Sequence, residues 1–268
     1  MSKFEVTFLG TNGSVAFNAG AEKRAKYGTN TSCISVEAGG EVLIFDAGTG
    51  LCGFKSANEN IRFFLSHYHV DHTGGLLFLP DFFNGEKKID LYGSSSEGVS
   101  LKTVVEEFLS PPLHPVGTEV FRAQLTFNEI EAGDTVNLSD GVTVRTIKLI
   151  HQPSCLGYRV DYNGKSLCYL SDVGLCEHEG DNELFEFLKD TDLLVLDSFF
   201  DDGKAIAGWG HSTWRECAEW AKKCNVKKLA LFHHDFKLSD SEIDARTKLA
   251  QEVFQNTFAA ADFMKVEI

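Results

Sequence analysis

The chain has 268 residues, of which 43% are hydrophobic and 24% charged, a balance that excludes a disordered or fibrous protein and provides for a sizeable core. Its formal charge of −14 repels polyanions, so a phosphate-bearing ligand needs a local positive centre, which argues against nucleic acid as a partner. The opening "MSKFEVTFLGTNG" has no signal-peptide core, and no apolar run approaches the ~20 residues of a membrane span, so a cytoplasmic protein without membrane attachment is expected.

In chain order, "FEVTFLG", "TSCISVEA", "EVLIFDAG" and "IRFFLSH" have the length and β-branched or aromatic content of strands, separated by Gly, Asn and Thr turn signals. A helix is predicted from Leu101 to Leu109, followed by "SPPLHPVG", where Pro111 and Pro112 mark a rigid turn and His114 a solvated loop. The stretches "QLTFNEI", "VTVRTIKLI", "LGYRVDY" and "SLCYLSD" again predict strands. From Asn182 onward helices and strands alternate: "ELFEFLKD", "DLLVLDS", "TWRECAEWAKKC", "KKLALFH", a long helix from Asp240 to about Phe258, and a last strand "FMKVEI". No low-complexity linker or short repeat divides the chain, so residues 1–268 are read as one domain with an insertion at about 80–135. The seven cysteines, Cys33, Cys52, Cys155, Cys168, Cys176, Cys217 and Cys224, contain no C-x-x-C pair and are expected to be reduced and mostly buried.

The stretch "FLSHYHVDHTGG" concentrates chemistry. His67 and His69 are two apart at a strand end, so their side chains share a face, and Asp71 and His72 follow in the turn. Unpaired clustered imidazoles would be costly to bury and would repel one another once charged, whereas a shared cation satisfies them all. Three further candidates end predicted strands: His151 after "VTVRTIKLI", Asp172 after "SLCYL" and His233 after "KKLALF". Thr213 and Glu216 form a T-x-x-E capping signature, which places His211 just before a helix N-terminus. Among the remaining candidates, Asp46 in "IFDAGTG" ends a strand and is either a turn former or a partner of a histidine, and His178 in "CEHEG" reads as a surface residue.

Through "HYHVDH", then His151, Asp172 and His233 in order, the sequence resembles the metallo-β-lactamase-fold hydrolases over almost its whole length. The segments "VTFLGTNGS", "IFDAGTGL", "GYRV", "YLSD", "GWGHSTW" and "LFHHD" are similar to the branch of cyclic-phosphate and cyclic-nucleotide phosphodiesterases and, more distantly, the tRNA 3′-end endonucleases. The resemblance implies an α/β fold, a four-layer αββα sandwich of two mixed sheets with helices on the outer faces. It also implies two divalent metal ions, with His67, His69 and His151 on the first, Asp71, His72 and His233 on the second, and Asp172 bridging them. Nitrogen and carboxylate donors suit Zn²⁺ and also accommodate Mn²⁺ or Fe²⁺. Whether His233 or its neighbour His234 is the ligand is left open, with His233 favoured by its place at the strand end.

Two such ions activate a bridging hydroxide and clamp an in-line phosphoryl displacement. His211 is expected to protonate the leaving oxygen, with Asp71 also at the catalytic step, and Asp46 could orient a ligand histidine. The expected activity is hydrolysis of a small cyclic nucleotide or cyclic phosphate. The alternatives are a tRNA 3′-processing-type endoribonuclease, which should show a basic patch and a gripping arm, a glyoxalase-type thioester hydrolase, and a non-catalytic metal-binding module. The resemblance leaves homodimer formation open.

Overall fold

The computed structural model describes residues 3–17 and 24–268. Apolar segments with few helix-favouring spacings pair first into β1 (Phe4–Gly10), β2 (Cys33–Ala38) and β3 (Glu41–Phe45), an antiparallel meander. Next come β4 (Asn60–Phe64), the short α1 (Val70–Thr73), β5 (Lys88–Gly93), α2 (Leu101–Phe108) and β6 (Gln124–Glu129), with β3 to β6 running parallel. The second half contains β7 (Thr135–Asn137), β8 (Thr143–Leu149), β9 (Cys155–Tyr162), β10 (Lys165–Leu170), α3 (Asn182–Leu188), β11 (Leu193–Asp197), α4 (Trp214–Lys223), β12 (Leu229–Phe232), α5 (Asp240–Val253), β13 (Thr257–Ala259) and β14 (Met264–Glu267). Among the described residues these strands form two seven-stranded mixed sheets, ordered β14-β1-β2-β3-β4-β5-β6 and β13-β12-β11-β10-β9-β8-β7.

The inner faces of the two sheets meet in one apolar layer. Phe8, Phe45 and Phe64 come from the first sheet and Tyr158, Tyr169 and Phe232 from the second, all fully buried. The Phe45 ring lies 5.3 Å from Phe64, 5.3 Å from Tyr158 and 5.8 Å from Tyr169. Both tyrosine hydroxyls find partners across the layer: Tyr158 donates to the Leu65 carbonyl at 2.6 Å and Tyr169 to the Asp46 carboxylate at 2.8 Å. Leu101, Val105 and Leu109 cover the outer face of the first sheet, while α3 and α4, with Ala250 of α5, cover that of the second. The result is the expected four-layer αββα sandwich, and residues 80–135 contribute β5 and β6 to the first sheet and α2 to its outer face.

Two strong N-caps shape the later helices. Thr213 and Glu216 make a reciprocal capping box on α4, as do Ser239 and Glu242 on α5. The α5 helix ends at Val253, earlier than Phe258, because Phe254 turns extended and residues 257–259 pair in parallel with β12 as an edge strand. Pairing a strand edge outweighs one more helical turn there.

Two histidines read as surface residues are buried. His114 makes a 2.6 Å hydrogen bond from Nδ1 to the Val116 carbonyl within the proline-rich turn, which satisfies the ring locally. His178 accepts from the Ile150 amide at 3.3 Å and pairs with Asp181 at 2.8 Å, so it pins the segment leading into His151. The seven cysteines are free; Cys52 and Cys176 are exposed and the other five are buried.

Replacing Phe45 by Ala removes the ring that joins both sheets, and the cost expected is about 3–5 kcal/mol. Urea unfolding of this variant should show a lowered midpoint at an unchanged slope; a midpoint equal to that of the parent protein would mean that the inter-sheet layer is not what holds the sandwich.

Candidate metal centre

β3 and β4 run parallel, as do β10, β11 and β12, and β8 shares their direction through two antiparallel steps. Their carboxyl ends therefore lie along one rim of the sandwich, the edge at which open sheets present side chains to ligands. Asp46 follows β3, His67 and His69 follow β4, His151 follows β8, Asp172 follows β10, Asp197 closes β11 and His233 follows β12. Asp46, Asp172 and His233 adopt left-handed backbone angles, with φ of 56°, 45° and 54°. Such conformations are uncommon outside glycine, and each turns the chain sharply off its strand so that the side chain projects along the rim.

Two clusters result, and they share a wall. In the first, His67, His69, His151 and Asp172 each offer an atom, all within 4.8 Å of one another. His69 Nδ1 is 2.9 Å from His67 Nε2 and 3.2 Å from His151 Nε2, while Asp172 Oδ2 is 3.6 Å and 3.4 Å from those same two nitrogens. A single proton on His69 Nδ1 satisfies one such pair at a time, whereas a cation accepts all three lone pairs together. In the second, Asp71, His72 and His233 converge likewise. Asp71 Oδ2 stands 3.5 Å from His72 Nε2 and 3.4 Å from His233 Nε2, and Asp172 Oδ1 closes in at 3.2 Å and 3.1 Å. Asp172 thus presents one oxygen to each cluster.

The outer ring nitrogens are committed elsewhere, which aims the inner ones. His72 Nδ1 bonds Asp46 Oδ2 at 2.8 Å, His151 Nδ1 donates to the Trp209 carbonyl at 3.1 Å, and His67 Nδ1 meets Ser66 Oγ at 3.0 Å. Asp46 is itself fixed by the Ser66 amide and hydroxyl and by Tyr169. His72 Nε2 is buried with no hydrogen-bond partner among the described residues. An orphaned buried nitrogen facing two carboxylates is what a ligand to a cation leaves behind, so the donor set fits a divalent metal.

Electrostatics agree in the first cluster. Burial lowers the pKa of His67 well below the ordinary imidazole value, and lowers those of His69 and His151, favouring the neutral rings that donate lone pairs. In the second cluster burial would lower the pKa of His72, but the carboxylates of Asp172, Asp71 and Asp46 override burial and raise it well above the ordinary imidazole value, so that this ring carries the positive charge a cation would replace. Burial opposes ionisation of Asp172, but His233 and His72 overcome it and hold the carboxyl well below the usual range. His234, by contrast, points away: its Nε2 bonds the Ala260 carbonyl at 2.9 Å, and burial takes its pKa down to about 3. His233 is therefore the member of the pair that reaches the cluster.

His211 lies beside the second cluster, its ring stacked on His233 with centroids 5.2 Å apart, and its Nδ1 is 2.6 Å from Asp197 Oδ2. Burial would lower its pKa, but the Asp197 carboxylate overrides that effect and raises it to about 9. Asp197 was not singled out in the sequence, although its signal was there: like Asp172 it is an aspartate closing an apolar strand. Two glycines admit these rings. A Cβ on Gly210, where φ is +69°, would sit 2.4 Å from His151 Nδ1, and one on Gly13 would sit 2.7 Å from His233. The backbone then continues to Ser14, whose amide donates to Asp71 Oδ2 at 2.8 Å.

Comparison with known proteins agrees with this architecture. Residues 16–234 match the family model described as beta-lactamase superfamily domain. A protein named Ribonuclease Z from Methanosarcina acetivorans is 25% identical over 332 aligned positions, covering 98% of this chain and 97% of the relative. Among solved structures, the metallo-β-lactamase fold protein YhfI from Bacillus subtilis superposes with a TM-score of 0.73 at 22% identity, covering all of both chains. The short form of human tRNase Z superposes with a TM-score of 0.69 at 22% identity, covering 98% of each. With the family model spanning most of its length, and both sheets and rim in place, the chain belongs to the metallo-β-lactamase superfamily.

Proposed function

We propose that the protein is a metal-dependent hydrolase of phosphodiester bonds. The observation that carries this reading is the pair of ligand clusters sharing Asp172, with His211 poised against one of them. His67, His69, His151 and Asp172 would hold one divalent ion, and Asp71, His72, His233 and Asp172 the other, Zn²⁺ being the first choice for this donor set. In that position these residues would hold ions whose chemistry is Lewis-acid polarisation of a phosphoryl oxygen and acidification of water. Asp46 fixes the tautomer of His72 by accepting its Nδ1 proton, which leaves Nε2 free to donate its lone pair. Asp197 does the same for His211, so that the proton on His211 Nε2 is the one available to a leaving oxygen.

Two observations bear on substrate size in opposite directions. The relative named Ribonuclease Z supports RNA as a substrate, and nucleic acid, set aside on net charge, returns as a candidate. Against a gripping arm, the chain passes from Asp172 through the single turn Leu175–His178 directly into α3, and at least 64 of the 332 positions aligned with that relative have no counterpart in these 268 residues. Together with the charge of −14, this favours a small phosphodiester, whereas the comparison with the relative named Ribonuclease Z favours RNA. Turnover of cyclic mononucleotides, dinucleotides, a precursor tRNA and a thioester by the zinc-loaded protein separates these readings; hydrolysis of the thioester alone would overturn the proposal.

Replacing His69 by Ala should reduce bound metal, measured by elemental analysis, and lower hydrolysis of bis(p-nitrophenyl) phosphate by about 100-fold or more; full activity with the metal gone would remove the mechanism. The variant Asp46→Asn turns an amide toward the hydroxyls and imidazole that Asp46 now accepts from, so zinc affinity should fall about 10–100-fold in a competition titration. For His211→Ala the expectation is a drop in kcat of roughly 10²–10⁴ with metal content retained, since the ring acts on the proton and not on the ion.

A further inference from the structure

The rim beside His151 carries an aromatic side chain that the hydrolytic chemistry leaves unused. Trp209 is 58% exposed and its neighbour Ile206 45%, in a chain whose other two tryptophans, Trp214 and Trp220, are buried. Exposing so large an apolar ring costs free energy unless something covers it. Its backbone is fixed: the Trp209 carbonyl accepts from His151 Nδ1 at 3.1 Å, its amide donates to Ile206 at 3.1 Å, and the Gly208 amide donates to Glu177 at 3.2 Å. Gly210 lets this backbone approach the histidine, since a Cβ there would strike His151. From His211 the aromatic surface continues in two steps, 6.0 Å to Phe200 and 6.3 Å from Phe200 to Trp209.

Resting on the phosphodiester reading above, the geometry points to Trp209 as a platform on which a planar ring attached to the phosphate stacks, and so to nucleobase-bearing phosphodiesters as the substrate class. The same hydrogen bond that orients His151 places the indole backbone at the edge of the first cluster, so recognition of the ring and alignment of the phosphate are mechanically joined. Stacking on an aromatic face accepts any base, so the platform would select for a planar ring and not for one base.

The test uses the zinc-loaded full chain and its Trp209→Ala and Trp209→Phe variants. For ApA or 2′,3′-cyclic AMP, whichever is turned over, Trp209→Ala should raise KM about tenfold relative to glycerol 1,2-cyclic phosphate in the same variant, with Trp209→Phe close to the parent. Independently of turnover, AMP should quench indole fluorescence excited at long wavelength in the parent protein and not in Trp209→Phe, whose remaining tryptophans are buried. A KM change equal for substrates with and without a base, or quenching that persists in Trp209→Phe, overturns the stacking role. Failure to hydrolyse any phosphodiester removes the functional reading instead, and the AMP titration still decides whether the platform binds a base.

Discussion

The carboxylate of Asp172, almost wholly removed from solvent, stands within 3.6 Å of a nitrogen from each of four imidazoles. A buried negative charge must be compensated, by a charged imidazole or by a cation that the neutral ones would hold, and the rings that face it come from both sheets: His67 and His72 from beyond β4 of the first, His151 and His233 from the second. The charge balance of one side chain thus requires the two sheets to be at a particular spacing and offset. Everything else in the rim, including the turn of α1 that delivers Asp71 and His72, is arranged around that requirement.

The inter-sheet layer meets the same demand by apolar means. Phe45, Phe64, Tyr158 and Tyr169 fill the space directly beneath the clusters, and the two tyrosine hydroxyls end on Leu65 and Asp46, the backbone and side chain from which the ligand-bearing turn departs. Packing and polar orientation are therefore coupled: Tyr169 is at once a core residue and a donor to the carboxylate that aims His72. A backbone bond from the Leu156 amide to the Ser66 carbonyl adds a direct tie between the sheets at the same level.

Much of this was legible in the sequence because the chemistry is dense and sits at strand ends. Four ligand-type side chains in six positions have few structural explanations, and apolar strands closing on His151, Asp172 and His233 mark a common rim once their directions are parallel. Less legible were residues whose meaning depends on distant partners. Asp197 looks like any strand-end aspartate until His211, just before α4, comes against it, and His178 sits in polar local sequence yet is buried with its ring held by the amide of Ile150, remote in the chain. Likewise the late part of α5 has helical composition, and only the free edge of β12 explains why the chain leaves the helix to pair there. Local pattern specifies element type; edges and charges contributed from elsewhere specify ends and roles.

The three left-handed residues at the ends of β3, β10 and β12 have a consequence for how this scaffold can diversify. Asp46, Asp172 and His233 each leave their strand in a left-handed conformation that breaks the regular pleat, so prolonging a strand past the rim would require changing the torsion that aims a donor atom. Insertions must instead enter the connections beyond those hinges, where the chain has already left the sheet. New specificities can then be grafted onto the mouth of the sandwich while the donor atoms stay at fixed heights, a division of labour written into three backbone torsions.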